Sequence, residues 1–263
     1  MHLDIREILS KRIGRRLPKF ISRPLEKLIH QDELNGFFAT CEGATPEEFL
    51  KKAFEFLNVT HTVEYTAPLA DDERYIFASN HPFGGLDGML LVDALVERFG
   101  DAGAVVNDLL MNISYLEPLW IPINKYGKQS VEKGRRYDEA FSSPIKQILT
   151  FPAGFCSRYI DGRVQDIEWR SHFVKDALRY NRKVVPVFVE GTLSKRFYRI
   201  YRLRRFLHLN VNLELVLLVD EMFRQRGNHI HIRVGAPVDV ATLEGSRGDI
   251  CKEIRRHAYA LER

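Results

Sequence analysis

Tyr75-Ile76-Phe77-Ala78-Ser79-Asn80-His81-Pro82-Phe83-Gly84-Gly85-Leu86-Asp87-Gly88 is the stretch that decides the fold. Its first five residues read as a strand, and Asn80-His81-Pro82 then breaks the apolar run. Gly84 and Gly85 permit a tight turn. Beyond it Met89–Phe99 reads as a helix, with Leu90, Leu91, Ala94 and Leu95 on one side. Strand, polar loop, helix is thus predicted here, and the same order recurs outward. Thr62–Thr66, Gly103–Val106, Ile148–Phe151 and Val184–Val189 read as strands, as do Leu213–Val219 and His229–Val234. His172–Tyr180 reads as a helix. Residues 240–262 read as a closing helix in which Ile250, Ile254, Ala258 and Leu261 recur at helical spacing. The alternation predicts an α/β domain, a sheet flanked by helices, with its function at the carboxyl ends of the strands.

The first sixty residues read differently. Leu3, Ile5, Ile8, Leu9, Ile13 and Leu17 recur at roughly helical spacing, and Pro18 and Pro24 are expected to cut the pattern into pieces. Within residues 1–30, Arg6, Lys11, Arg12, Arg15, Arg16, Lys19, Arg23 and Lys27 face only Asp4, Glu7 and Glu26. Such a basic amphipathic segment suits an anionic membrane surface, and equally a solvated helix packed on the body. Thr45-Pro46-Glu47-Glu48 is a helix start with a capping box, followed by Phe49, Leu50, Phe54 and Leu57 as an apolar face. The expected division is a helical N-terminal region over residues 1–58 and an α/β domain over residues 59–263.

Composition bounds the partners. With 45% hydrophobic and 28% charged residues in 263, the chain is of the folded, globular class. A net charge of +4 is too small to imply nucleic acid. Cys41, Cys156 and Cys251 are far apart and form no CxxC, which points to a reducing compartment and away from structural zinc. No run of 18 apolar residues occurs, and basic residues interrupt the N-terminus before it reaches signal-peptide length. Any membrane contact is therefore expected to be peripheral.

The chemistry concentrates at His81 and Asp87. A carboxylate on one imidazole nitrogen fixes the tautomer and raises the basicity of the other, giving a general base for a hydroxyl or amine nucleophile. A plain loop histidine before an aspartate at a helix start has the same spacing. No GxSxG, GxGxxG or GxxxxGK[ST] occurs, so serine-hydrolase and nucleotide-binding folds lack their markers. His229 and His231 share a strand face without a third ligand, which favours a structural or surface role over metal. Lys195, Arg196, Arg199, Arg202, Arg204 and Arg205 interleave with Phe197, Tyr198, Tyr201 and Phe206. That mixture suits a headgroup layer, a carrier-protein dock or a solvated helix. No nucleic-acid module accompanies it.

Asn80–Gly88 resembles the first motif of the glycerolipid and lysophospholipid acyltransferases, whose usual form is His, four residues, Asp. Five residues intervene here. The run Asn-His-Pro-Phe-Gly-Gly-Leu-Asp-Gly is similar to the branch that carries a hemolysin label and includes enzymes that O-acylate ornithine- or glycine-type lipids. Pro118–Tyr126 lies where the family has its acceptor motif; its usual arginine is absent, and Asn124 and Lys125 are the nearest polar candidates. Phe151-Pro152-Ala153-Gly154 resembles the third motif with Ala153 in place of glutamate, and Ser157, Arg158, Asp161-Gly162, Asp166 and Trp169 continue in the style of the branch. Val184-Val185-Pro186-Val187 resembles the fourth motif. The similarity covers roughly residues 60–240.

The resemblance implies direct acyl transfer from acyl carrier protein or acyl-CoA to the hydroxyl of a lyso-amino-acid lipid, with no metal and no tightly bound cofactor. His81 is the implied base and Asp87 its partner. Backbone N–H groups between Gly84 and Gly88 are the implied oxyanion donors. Asn80, Gly84, Gly85, Gly88, Asn124, Lys125, Phe151, Pro152, Gly154, Ser157 and Arg158 are the implied substrate contacts. For Arg158 a guanidinium fork on an anionic headgroup stands beside a plain salt bridge. Cys156 lacks a histidine partner nearby in sequence, which argues against covalent catalysis. The implied location is peripheral, on the cytoplasmic face of a bacterial inner membrane. A lysophosphatidate or lysophospholipid acyltransferase is the enzymatic alternative. A non-catalytic membrane-binding, hemolysin-like protein is the other, and pure membrane binding has no use for the His81–Asp87 pair.

Overall fold

The structure is a computed structural model that describes residues 2–107, 113–123, 131–208 and 214–262. Helices α1 (Ile5–Ile13), α2 (Lys19–Leu28), α3 (Gln31–Thr40) and α4 (Pro46–Leu57) lead into β1 (Thr60–Tyr65) and β2 (Tyr75–Ser79). Then come α5 (Gly85–Phe99), β3 (Ala102–Asn107), β4 (Trp120–Ile123), α6 (Val131–Ser142), β5 (Gln147–Thr150), β6 (Arg158–Ile160) and β7 (Arg163–Gln165). The chain ends with α7 (His172–Tyr180), β8 (Lys183–Val189), α8 (Lys195–Phe206), α9 (Glu214–Phe223), β9 (His229–Val234) and α10 (Arg247–Tyr259). Two compact units result. One joins Met1–Val59 to Leu193–Asn228, and the other joins Thr60–Thr192 to His229–Arg263.

The sheet unit carries a mixed seven-stranded sheet in the order β1-β9-β8-β2-β5-β3-β4. The paired strands run parallel except for β8 and β9. Strand β2 is buried along its whole length between β5 and β8, with Ala78 opposite Thr150 on one side and Pro186 on the other. This register brings the carboxyl ends of β2, β5 and β8 out side by side. Below the sheet, Ile76, Ile148 and Val184 pack with Trp169, Phe173, Val174, Ile254 and Ala258, so α7 and α10 cover one apolar layer. Strands β6 and β7 form a separate antiparallel hairpin. Its turn residues, Asp161 and Gly162, both have positive φ, as a two-residue turn matched to strand twist requires.

The other unit is helical. Thr45 caps α4 with the expected reciprocal bonds to Glu48. Phe37 lies between Phe49 and Phe56, at centroid distances of 5.4 and 4.8 Å. His30 stacks on Phe223 at 4.0 Å, with Nδ1 and Nε2 each 3.1 Å from a carboxylate, Glu33 and Asp220. Glu221 is fully buried on α9 and accepts from both the backbone N–H and the hydroxyl of Ser194, the N-cap of α8.

Two expectations are corrected here. The apolar run to Val219, read as a strand, belongs to helix α9; Leu213 itself lies outside the described residues. A short, continuously apolar run has no period to distinguish strand from helix. Its burial of Leu217 and Glu221 four residues apart is the helical signature. Pro24 does not end a helix either, because α2 runs through it, whereas Pro18 does separate α1 from α2.

Arg182, at the start of the β8 segment, is 3% exposed and donates to the carbonyls of Phe141, Ser143 and Lys146 at 2.8–2.9 Å. It ties off the end of α6, where helix carbonyls lack partners. Burial pulls its pKa down to about 10, which leaves it charged at neutral pH. Arg182→Met is expected to cost about 1.5–3 kcal/mol of stability, the scale of a hydrogen bond to a charged group. Urea denaturation reads this directly, and an unchanged midpoint would show that water serves those carbonyls equally well.

Candidate active site

The site starts where β2 leaves the sheet. Asn80 uses its side chain as a strand would use its backbone: Nδ2 donates to the Val189 carbonyl at 2.9 Å, and Oδ1 accepts from the Val189 N–H at 2.7 Å. The last residue of β8 is thereby fixed to the residue before His81. Gly84 then reverses the chain at φ 81°, ψ −121°, a conformation that L side chains rarely adopt. The Phe83 ring lies on the bare backbone of Gly191, where an added Cβ would meet it at 1.9 Å. Helix α5 begins at Gly85 and carries Asp87 in its first turn, fully buried.

Asp87 reaches back across this turn. Its Oδ2 accepts from the N–H groups of Phe83 and Gly84, each at 2.9 Å, and lies 2.9 Å from His81 Nδ1. The imidazole approach is off-line, so the contact is close without being a linear hydrogen bond. Oδ1 has no hydrogen-bond partner among the described residues. Burial raises the Asp87 carboxyl above the usual carboxylate range, and His81 with the two N–H groups pulls it the other way. The His81 ring stacks on Phe151 with centroids 4.0 Å apart and keeps 17% of its side chain exposed. With Nδ1 turned to Asp87, Nε2 is the nitrogen left for a substrate proton. An added Cβ on Gly88 would sit 3.8 Å from Phe151, in ordinary contact.

The backbone of His81 is held from both sides by the segment after β5. Ser157 N–H donates to the His81 carbonyl at 2.8 Å, and His81 N–H donates to Asp166 Oδ1 at 3.2 Å. The Ser157 hydroxyl donates to the same oxygen at 2.6 Å, and Trp169 Nε1 donates to Oδ2 at 2.8 Å. Burial raises the Asp166 carboxyl, against its bonds to Ser157 and Trp169. Asp166 is the residue whose importance sequence reasoning missed. Its one signal was the Asp-x-x-Trp spacing after the third motif, which carries no chemistry until the fold brings it to His81.

The other anticipated residues divide clearly. Gly154, at φ 67°, closes a turn by donating to the Phe151 carbonyl, and Pro152 accepts from Arg170 N–H. Arg158 is buried, with Nη1 on the carbonyls of Cys156 at 2.6 Å and Ser157 at 3.3 Å. Burial pushes the Cys156 thiol up to about 12, so it is protonated at neutral pH and a poor nucleophile. Asn124 and Lys125 lie outside the described residues. Lys195, Arg196, Arg199, Arg202, Arg204 and Arg205 lie on α8, in the helical unit. His229 bonds Thr60 and Thr62, each at 2.7 Å, and the described residues contain no group of three or more His, Cys, Asp or Glu placed to hold a metal.

A family profile described as Acyltransferase matches residues 7–263. This chain belongs to the acyltransferase family. A lyso-glycine lipid O-acyltransferase from Phocaeicola vulgatus is 34% identical over 249 residues, covering 93% of this chain and 89% of that protein. One from Bacteroides thetaiotaomicron is 35% identical over 249 residues, covering 93% and 91%. Among solved structures, the 1-acyl-sn-glycerophosphate (LPA) acyltransferase PlsC from Thermotoga maritima aligns at a TM-score of 0.49 and 20% identity, over 82% of this chain and 78% of that one. An acyltransferase of this family moves an acyl group from an activated thioester. No helix among the described residues is long and apolar enough to cross a membrane.

Asp166→Ala would leave the His81 N–H, the Ser157 hydroxyl and the Trp169 indole N–H without their acceptor. An orphaned buried donor costs about 1–3 kcal/mol, so a loss of at least about 2 kcal/mol is expected for the three. Asp166→Asn keeps one acceptor oxygen and should fall between. Chemical denaturation of both variants tests this, and parental stability in Asp166→Ala would mean that water replaces the carboxylate.

Proposed function

We propose that this acyltransferase moves a fatty acyl group from a thioester to the hydroxyl of a lyso-amino-acid lipid of the glycine type. The observation that carries the reading is the 34–35% identity to two lyso-glycine lipid O-acyltransferases over nearly their whole length. The His81–Asp87 geometry is consistent with it. In the proposed mechanism His81 Nε2 takes the proton of the acceptor hydroxyl as the oxygen attacks the thioester carbonyl. Asp87 holds the ring tautomer and offsets the positive charge that develops on the imidazole. The N–H of Gly84 is spent on Asp87, so the oxyanion falls to the first-turn N–H groups of α5 that follow, Gly85 and Leu86. The thiolate leaves with the carrier, and the proton on His81 is available to it.

Acyl carrier protein is the proposed donor, with CoA the alternative, and an anionic membrane is the proposed place of work. Three features of the helical unit support the membrane. Arg199, Arg202 and Arg205 point outward on α8, and Leu203, Phe206 and Leu207 are exposed beside them, Phe206 by 78%. Phe20 on α2 is likewise 77% exposed, next to Lys19. Bare apolar side chains among cations suit a headgroup layer better than bulk water does.

His81→Ala is expected to lower the initial rate of acyl transfer by about 10²–10⁴-fold while leaving thermal unfolding near the parental value. Asp87→Asn should cost less. A folded His81→Ala protein with near-normal turnover would sink the mechanism. Purified protein, assayed with lyso-glycine lipid beside lysophosphatidate, tests the acceptor.

Changing Arg199, Arg202 and Arg205 together to Gln is expected to weaken flotation with anionic liposomes, and raised salt should weaken it in the parent, because salt screens the attraction. Activity on membrane-presented acceptor should fall more than on a short soluble one. Intact flotation with equal loss on both acceptors would reassign α8 to carrier-protein docking.

A further inference from the structure

The cation that the sequence offers for an anionic headgroup is Arg158, yet that side chain is 3% exposed and donates to the Cys156 and Ser157 carbonyls. Across the hairpin turn, Arg163 is exposed, with one bond at 3.3 Å from Nη2 to the amide oxygen of Gln165. Arg163 lines a cleft of about 430 Å³. One wall is Asn80 and Pro82, the residues on either side of His81. Another is the β6–β7 hairpin with Tyr159 and Arg163, and a third is the segment after β8 with Glu190 and Thr192.

We propose that this cleft receives the headgroup of the acceptor and that Arg163 is the counter-ion of its carboxylate. The assignment rests on the acceptor reading given above and goes beyond it by naming where the amino-acid portion binds. Position supports it, because the cleft opens beside the residue proposed to deprotonate the neighbouring hydroxyl. Charge supports it as well. Arg163 is the one cation among the described lining residues, and its planar fork matches a carboxylate with two parallel bonds. Of the two acidic lining residues, Glu190 and Glu262, the first is already engaged by Arg233 Nη2 at 3.1 Å. The volume is that of a small-ligand site and exceeds a glycyl group, which leaves room for the first carbons of the lipid against Pro82 and Val164.

The test uses the full chain, one thioester donor and two acceptors, lyso-glycine lipid and its carboxyl methyl ester. The parent should prefer the acid. Arg163→Ala should raise the KM for the acid about tenfold or more, leave the donor KM and kcat within about twofold, and abolish the preference for acid over ester. Arg163→Lys, which keeps the charge and loses the fork, should fall between. An unchanged KM for the acid in Arg163→Ala, or full retention of the preference, overturns the assignment while the acceptor reading stands. A parent that acylates neither compound overturns the acceptor reading and this assignment with it.

Discussion

One carboxylate oxygen, Oδ2 of Asp87, gathers two backbone N–H groups and an imidazole nitrogen at 2.9 Å each. An ionised carboxylate at zero exposure is costly unless donors surround it, so the turn and the histidine are conditions of its burial as much as results of it. The five residues between His81 and Asp87, one more than the usual spacing, fit this arrangement. The chain reverses at Gly84, and Asp87 enters on the first turn of α5. The cost is a bulky Phe83 that needs a neighbour without a side chain, which Gly191 supplies.

Around that contact the sheet provides the frame. Parallel pairing of β2 with both β5 and β8 releases three chain segments at one edge, and each returns to brace the same histidine. The β8 end holds Asn80, the β5 end lays Phe151 on the imidazole, and the following loop clamps the His81 backbone through Ser157 and Asp166. The ring is thus oriented by one carboxylate and its backbone by another, both buried and both raised by burial.

What the sequence disclosed follows from period and punctuation. The strand Tyr75–Ser79, the helix His172–Tyr180 and the strand His229–Val234 announced themselves by length and breakers, and the capping box at Thr45 by four residues. The His81–Asp87 pair was legible because both partners sit in one turn. Asp166 was not, because it meets His81 only through tertiary packing, 85 residues away in sequence. The inward turn of Arg158 was equally hidden, since spacing does not say which face of a three-residue strand meets the interior. Helix α9 was misread for want of a period, and with it the pairing of Leu193–Asn228 with the N-terminal helices.

That pairing bears on how the chain is made and cut. The helical unit consists of two segments with most of the sheet strands encoded between them, and the sheet in turn waits for β9, encoded after the second segment. During synthesis the N-terminal helices therefore emerge long before the chain that completes their packing, and neither unit closes until the other is nearly finished. A cut at residue 59, attractive on a linear reading, would not free a sheet domain. It would strand α8 and α9 without their counterpart and bare Phe223, which now packs on His30 and Phe56, as sticky surface.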